Sequence, residues 1–502
     1  MNWLRVELDL GRVCPQRLIS GECVKMKSCL ALQDNRFSIA FSSRHTHRLA
    51  RTEKCWASQT AWFWLVLPFF LTVGKSLAMA QPNVVLIYAD EVRLPDVDVE
   101  QTRLVPTPHL DRLFASGVRF TQAYTSLPWC SPSRAGLLTG RYPQRFGHEF
   151  NPNQPGQDPM WGLPVVESTM ADDFKQAGYA TGMFGKWHLG RGPELHPNRR
   201  GFNEFYGFVG GAHDYLSSAD PVWGPYQHNG QPLEIDGYLT DVLARRAAEF
   251  ISENRERSFF MYVPFNAVHP PHQAPENLIQ RVDQLAGLDD GQKDLAATLQ
   301  GLDDAVGLIV STLEASGLRE KTLVIFTSDN GRPKELAMPW DRLRGGREQF
   351  WDGGWRIPMV WSWPGMIPAD SIYPLLVSHL DMRATFQALV ERPAEQNRPL
   401  DGVDLLPHIL GQATTSPHEY LYGRLGPTWA VRHQKWKLIL PFGRESTELY
   451  DIEADPYEES DIAAEHPEIR RQLQESFDKW NSELVEPAWP YPPGSLRRQS
   501  AG

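Results

Sequence analysis

Between residues 83 and 331, four uninterrupted apolar runs each end in a cluster of charged or amide side chains. Asn83-Val84-Val85-Leu86-Ile87-Tyr88 leads to Asp90-Glu91, and residues 179–184 lead to Gly185-Lys186-Trp187-His188. Phe259-Phe260-Met261-Tyr262-Val263 leads to Asn266 and His269, and residues 322–327 lead to Asp329-Asn330. Apolar runs without alternation belong to strands buried on both faces, as in parallel sheets covered by helices. Helical patterns lie between the runs. Residues 168–177 place Met170, Phe174 and Ala177 on one face before Gly178, and residues 237–254 form a second helix. Residues 292–316 space Leu295, Leu299, Leu302, Val306, Ile309 and Leu313 by fours and threes, ending at Gly317. Thr107-Pro108 caps a shorter helix carrying Leu110, Leu113 and Phe114, stopped by Gly117, and a strand over 118–124 follows it. The expected fold is α/β, a large mixed, mostly parallel sheet flanked by helices. Ligands in such sheets bind beyond the carboxyl ends of the strands, so the four clusters are expected to meet in one site.

A second feature is Cys130-Ser131-Pro132-Ser133-Arg134, followed by Ala135-Gly136-Leu137-Leu138-Thr139-Gly140-Arg141. Pro132 suits a first helical turn, where its missing N–H is not needed. A helix N-terminus and Arg134 are both expected to favour negative charge at position 130, which suits a nucleophile acting on an anion. Asp90, Glu91, Asp329 and Asn330 offer hard oxygen ligands, suited to Ca²⁺ or Mg²⁺. Arg134, Lys186, His188, His269 and Arg347 are cations or proton carriers. A divalent ion beside several cations suits a compact, doubly charged oxyanion. Each piece alone has an ordinary explanation. Asp329-Asn330-Gly331 is a turn sequence, Gly345-Gly346 a loop, and a histidine before Pro270 is commonly structural. The argument rests on their occurring together and in order.

The alternation of strand and helix stops near residue 412. Residues 428–432, 436–440 and 448–450 are expected as short antiparallel strands, and Ile469, Leu473, Phe477 and Trp480 mark an amphipathic helix. The chain is therefore divided into a catalytic domain over 81–411, a small α+β domain over 412–486 and an irregular Pro-rich tail over 487–502. Residues 1–80 differ from the rest. They hold four of the five cysteines, Cys14, Cys23, Cys29 and Cys55, and eleven Lys/Arg against five Asp/Glu. The apolar run over 61–73 and Ala78-Met79-Ala80 read as an export signal cleaved after Ala80, with residues 1–50 expected to lack regular structure. The product would be periplasmic or secreted, without stable membrane association. Beyond residue 80 the net charge is −17 against −11 for the whole chain, and Cys130 is the only cysteine. No nucleic-acid partner is expected of so acidic a chain.

Taken together, these stretches resemble the type I sulfatases of the alkaline phosphatase superfamily, from about residue 82 to residue 480. The resemblance is carried by Pro82-Asn83-Val84-Val85-Leu86-Ile87 with Asp90, Cys130-x-Pro-x-Arg134, Gly185-Lys-Trp-His-Leu-Gly190 and Asn266-Ala-x-His269. It continues in Thr327-Ser-Asp-Asn-Gly331, Arg344-Gly-Gly, Gly353-Gly-x-Arg-x-Pro358, Trp436-Lys-Leu and Leu449-Tyr-Asp451 with Asp455-Pro456. It implies that a maturing, formylglycine-generating enzyme converts Cys130 to formylglycine, which serves as nucleophile and metal ligand. It further implies that Arg134 holds that residue, and that Asp90, Asp329 and Asn330 bind calcium, with magnesium as the substitute. Lys186 and His269 would contact the sulfate, His269 would protonate the leaving oxygen, and His188 would act as base. Glu91 stands where the family pattern has a second metal-binding aspartate, and Arg347 where it has a sulfate-binding lysine.

The reaction implied is hydrolysis of an aryl sulfate or a sulfated carbohydrate. The alternatives are a phosphate or phosphonate ester hydrolase of the same superfamily, or an inactive binder of sulfated glycans. A thiol phosphatase is excluded by spacing, because its arginine would fall at Gly136. The loop from 191 to 227, with Arg199, Arg200, His213 and Asp214, is the candidate for substrate contacts.

Overall fold

The computed structural model describes the backbone of residues 30–33 and 36–39, and residues 81–97, 105–152, 158–218, 224–392 and 398–491. The chain falls into two units, Met1–Leu77 and Ala78–Gly502. In the first, Leu30–Gln33 pairs antiparallel with Arg36–Ile39, where the sequence reading expected no regular structure. The apolar run at 61–73 and the four N-terminal cysteines lie outside the described residues.

The second unit is built on a sheet of ten strands. The elements used below are β1 (Asn83–Ala89), α1 (Pro108–Ala115), β2 (Val118–Phe120), α2 (Cys130–Thr139), α3 (Met170–Gln176), β3 (Ala180–Lys186), β4 (Glu204–Phe208), α4 (Leu239–Glu253) and β5 (Phe259–Pro264). They continue with α5 (Glu276–Asp283), α6 (Asp290–Ala315), β6 (Thr322–Ser328), β7 (Met359–Ser362), β8 (Ser371–Tyr373) and α7 (Asp381–Leu389). The order across the sheet is β8-β2-β7-β6-β1-β5-β3-β4, extended by short antiparallel strands at Gln227–His228 and Gln231–Pro232. Strands β6, β1, β5, β3 and β4 run parallel. Strand β7 is antiparallel to both β6 and β2, which makes the sheet mixed.

The period-2 geometry of a strand sends alternate residues to opposite faces. Val85, Ile87 and Ala89 of β1 face a core with α1, α4, α5 and α6, while Val84, Leu86 and Tyr88 face one with α2, α3 and α7. Both faces are buried, as the continuous apolar runs require. Helix α6 starts in a capping box between Asp289 and Gln292. Thr107 does precede α1, but its side chain makes no cap bond. Asp303 of α6 does so instead, accepting from the N–H groups of His109 at 3.2 Å and Leu110 at 2.7 Å.

The stretch over 118–124 forms two strands rather than one. After β2 the chain leaves the main sheet, and Ala123–Tyr124 pairs with Val377–Ser378. The C-terminal part adds β9 (Tyr420–Leu425), β10 (Thr428–His433), β11 (Trp436–Leu440), β12 (Glu448–Asp451) and α8 (Pro467–Asn481). Its four strands are antiparallel in sequence order. Strand β9 and helix α5 were not read from the sequence. One face of this sheet packs Trp429, Val431, Leu438 and Leu449 against Leu473, Phe477 and Trp480 of α8. The other face packs Ala430, Ile439 and Tyr450 with Trp129, Cys130 and Trp355. The tail is irregular as far as residue 491, yet it is packed. Trp489 is buried against His148, and Tyr491 lies against Trp129 and Phe150.

A buried ionic knot ties β11 to the segment before β7. Lys437 of β11 pairs with Asp352 at 2.6 Å and Glu458 at 2.8 Å, and all three side chains are fully buried. Asp352 also donates its backbone N–H to Glu458 at 2.7 Å. Removing one partner from such a group leaves an uncompensated buried charge. Lys437→Met is therefore expected to lower unfolding free energy by about 3–5 kcal/mol, read from urea denaturation. Arg471→Ala, which breaks surface pairs with Glu468 and Glu475, should leave the midpoint unchanged.

Candidate active site

The register of the sheet builds the site. Ser328 of β6 lies opposite Ala89 of β1, so the next residues, Asp329 and Asp90, emerge side by side. The Asp329 N–H donates to Ala89 O at 3.1 Å, and the Glu91 N–H donates to Asp329 Oδ1 at 3.1 Å. On the other flank of β1, the Asp90 N–H donates to Ala267 O at 2.9 Å, tying in the segment after β5. Strand β3 delivers Lys186, whose ammonium is in contact with Asp90 Oδ2. Helix α2 begins at Cys130, and Arg134 one turn later reaches Asp329 Oδ2 at 2.8 Å and Asp90 Oδ2 at 3.4 Å. The Cys130 thiol lies 3.7 Å from Asp90 Oδ1.

The two residues between cysteine, proline and arginine hold this helix in place. Ser131 donates to His188 O at 2.6 Å and bonds His148 Nε2 at 2.7 Å. Ser133 donates to Asp329 O at 2.7 Å and contacts the hydroxyls of Tyr88 and Thr125. The sequence reading did not single them out. The signal was present, since both variable positions of the motif are small hydroxyl residues.

Among the groups the sequence brought forward, Asp90, Glu91, Arg134, Lys186, Asp329 and Asn330 are fully buried, with Cys130 and His188 nearly so. His269 and Arg347 are each 17% exposed, so they form the mouth. Glu91 lies beneath them. Its Oε1 is bound by the Arg347 guanidinium and is 3.8 Å from His269 Nε2. Arg347 Nη1 lies 3.3 Å from His269 Nε2, and His269 Nδ1 faces Pro270 O at 2.7 Å. In the neutral ring, Nδ1–H donates to that carbonyl and Nε2 carries the lone pair toward Arg347.

His188 reaches the cluster indirectly. Its carbonyl holds Ser131, and its ring lies on Gly211, where a Cβ would come within 2.6 Å of Nε2. Its Nδ1 is buried without a partner among the described residues. The loop proposed for substrate contacts divides. Arg199 is exposed, and Asp214 accepts from Gln273 at 3.0 Å. Arg200 is instead a buried structural residue, donating to the carbonyls of Leu163, Pro164 and Glu167. His213 is buried against Phe208 and Tyr226.

The electrostatics correct one expectation. Burial pushes the Cys130 thiol well above its usual range; Lys186 pulls it down, and Asp90, Asp329 and Glu91 push it up. Arg134 is committed to Asp329 and Asp90, so the thiol stays protonated rather than anionic. Burial would also raise Asp90, but Lys186, His269 and Arg134 bring it down to about 2. Asp329 is pushed up to about 7 by burial and by the charge on Asp90. Burial lowers both His188 and His269, with Lys186 adding to each, while Glu91 and Asp90 pull His269 back up.

A divalent cation fits this donor set. One oxygen each of Asp90 and Asp329 and the sulfur of Cys130 lie within 4.8 Å of one another. Asn330 anchors its amide by donating to Gly331 O at 2.9 Å, which leaves Oδ1 buried without a partner. These are hard oxygen donors, and a dication between Asp90 and Asp329 removes the repulsion that raises Asp329. Glu91 has one oxygen committed to Arg347, and Oε2 is its only unpartnered ligand atom. A second group, Glu91, Cys130 and His269, meets the same distance limit.

Comparison with known proteins follows the same line. The Sulfatase family model matches residues 82–392, and the model for the C-terminal part of N-sulphoglucosamine sulphohydrolase matches residues 347–483. The chain is 30% identical to an N-acetylgalactosamine-6-O-sulfatase of Bacteroides thetaiotaomicron, over 79% of this chain and 93% of that protein. It is 33% identical to human arylsulfatase A, over 80% of this chain and 83% of that one. Among solved structures, Ps i-CgsB in complex with k-i-k-neocarrahexaose superposes with a TM-score of 0.78 at 30% identity, covering 84% of this chain and 97% of that one. The phosphonate monoester hydrolase of Agrobacterium radiobacter, with a TM-score of 0.58 at 20% identity, shares the fold. The chain belongs to the sulfatase family and is a sulfuric ester hydrolase.

Proposed function

We propose that this enzyme removes sulfate from a sulfated carbohydrate, using formylglycine formed from Cys130 and a calcium ion held by Asp90, Asp329 and Asn330. The observation that carries the reading is the convergence of Cys130, Asp90, Asp329, Lys186 and Arg134 in one buried cluster beneath His269 and Arg347. Relatives acting on N-acetylgalactosamine 6-sulfate, by their names, support a sugar substrate.

A protonated, buried thiol is a poor nucleophile. Conversion of Cys130 would supply an aldehyde hydrate, one hydroxyl to attack sulfur and one whose deprotonation expels sulfate. The cation would supply positive charge to the sulfate oxygens. The chain's own residues do the rest. Arg134 fixes Asp90 and Asp329, and Lys186 places its ammonium beside Asp90, where the sulfate oxygens would lie. Arg347 offers a fixed guanidinium at the mouth, suited to bidentate contact with an oxyanion. It does not give up a proton, so the leaving oxygen is protonated from His269, whose imidazolium burial disfavours and Glu91 and Asp90 favour. His188, kept neutral by burial, takes the proton when sulfate is expelled.

We also infer export, with the apolar run before Ala80 as the signal. Among the described residues, no helix is long and apolar enough to cross a membrane.

Peptide mass spectrometry of protein made with a sulfatase-maturing enzyme should show the aldehyde at residue 130. Cys130→Ala should then abolish hydrolysis of 4-nitrophenyl sulfate, and retained turnover refutes the mechanism. Chelation should remove at least 90% of activity, restored by calcium; Asn330→Ala should weaken calcium binding, measured by calorimetry, about tenfold or more. 4-Nitrophenyl sulfate should be turned over faster than 4-nitrophenyl phosphate, the reverse order favouring a phosphoryl hydrolase. N-terminal sequencing of exported protein should begin at Gln81.

A further inference from the structure

A cleft separates the loop over residues 344–351 from the end of β11 and the turn after it, residues 439–444. It encloses about 680 Å³, open solvent at its mouth included. Aromatic rings from Phe350, Trp351 and Phe442 line it, and three cations, Lys334, Arg344 and Arg444, stand around it.

The charges in the cleft are not equivalent. Arg344 is committed, donating to Tyr450 OH at 2.6 Å and Glu458 O at 2.7 Å and lying over the Trp351 ring at 4.4 Å. The two acids in the lining are also occupied. Glu448 accepts from Tyr450 OH at 2.6 Å and pairs with Arg344 at 3.5 Å, and Glu348 faces Arg347 at 3.8 Å. Lys334 and Arg444 are exposed, and neither side chain has an ion pair or hydrogen bond among the described residues. Trp351 Nε1 is buried with no acceptor there. The cleft thus offers two uncommitted cations beside aromatic rings. Cations bind sulfate, aromatic faces bind sugar rings, and the combination selects a sulfated sugar over either alone.

Glu348 of the lining faces Arg347 at 3.8 Å, which links the cleft to the mouth of the active site. Arg347 belongs to the loop that walls the cleft, and its neighbour Glu348 is part of the lining. A ligand filling both places would have to be an oligosaccharide. Beyond residue 80 the chain carries a net charge of −17, so long-range attraction does not gather sulfated chains. Local cations must do it.

We propose that this cleft holds a sulfated sugar unit neighbouring the one whose ester is cleaved, with Lys334 and Arg444 on its sulfate and the aromatic lining against its ring. The proposal rests on the sulfated-carbohydrate reading above, and its test is independent of turnover. Binding of 6-O-sulfated N-acetylgalactosamine, and of sulfated galactosaminoglycan and galactan tetrasaccharides, is measured by calorimetry on the unconverted thiol protein loaded with calcium. At least one tetrasaccharide should bind about tenfold or more tighter than the monosaccharide. Lys334→Ala with Arg444→Ala should remove at least fivefold of that advantage. Monosaccharide affinity, the melting temperature and turnover of 4-nitrophenyl sulfate by the matured enzyme should not change. Equal affinity for tetrasaccharides and monosaccharide, or a double variant that keeps the full advantage, overturns the proposal. Failure of the matured wild type to cleave any sulfate ester would instead refute the catalytic reading and leave the binding comparison intact.

Discussion

Two carboxylates that never meet water, Asp90 and Asp329, stand side by side at the ends of adjacent parallel strands. Burying one charge is costly and burying two like charges together is more so, unless opposite charges are fixed against them. Lys186 and Arg134 are those charges, and both are themselves fully buried. The cluster therefore has to be assembled whole. Strand β3 must bring the lysine, helix α2 must bring the arginine, and β1 and β6 must keep their register. Arg134 is held further by Lys186 O at 3.2 Å and by the Tyr88 ring at 5.3 Å. With two cations against two carboxylates and a neutral thiol, the pocket is close to balanced before any substrate arrives. An added dication would leave it net positive, which is the condition for holding a doubly charged oxyanion.

The same balance bears on the cysteine that begins the motif, whose thiol is held protonated by burial. The helix N-terminus and Arg134 suggested a stabilised thiolate, and both features are present. They are outweighed by burial, while Asp90, Asp329 and Glu91 repel a further negative charge and Arg134 is paired with Asp329 and Asp90. A motif read in isolation counted the cation and missed its partners. Only the fold shows that the arginine is paired with Asp90 and Asp329.

Most of the catalytic frame was legible because it follows from period and order. Unbroken apolar runs such as 83–88 and 322–327 fit only doubly covered strands, and polar residues at their carboxyl ends must then share an edge. Helix α6 was legible for a similar reason, its leucines stepping down one face to Gly317. What escaped depends on contacts between distant segments. Nothing local marks Asp303 as the cap of α1, since its partners are almost two hundred positions earlier in the chain. Strand β9 was missed because its buried positions, Leu421, Gly423 and Leu425, include a glycine, against which Phe350 packs. Arg200 looked like a substrate ligand because a Gly- and Arg-rich loop is ambiguous. Its three carbonyl acceptors come from another loop, at residues 163–167.

The two departures from the sulfatase pattern lie far apart in the chain, at residues 91 and 347, and the sequence treats them as separate. In the structure they touch. Glutamate is one methylene longer than aspartate, and that added reach suits it to meet a guanidinium, which in turn extends farther than a lysine's bulk would suggest in a planar, forked shape. The pair keeps the local charge unchanged, with Arg347 partly exposed at the mouth and Glu91 beneath it. His269 is drawn into the same arrangement, with its Nε2 between the two. Burial disfavours the charged imidazole most, Glu91 and Asp90 favour it, and Lys186 and Arg347 oppose it, so both substituted positions act on His269 with opposite sign. Changing either alone would leave a buried carboxylate without its cation or a guanidinium without its anchor, and the acid at the mouth would change with it.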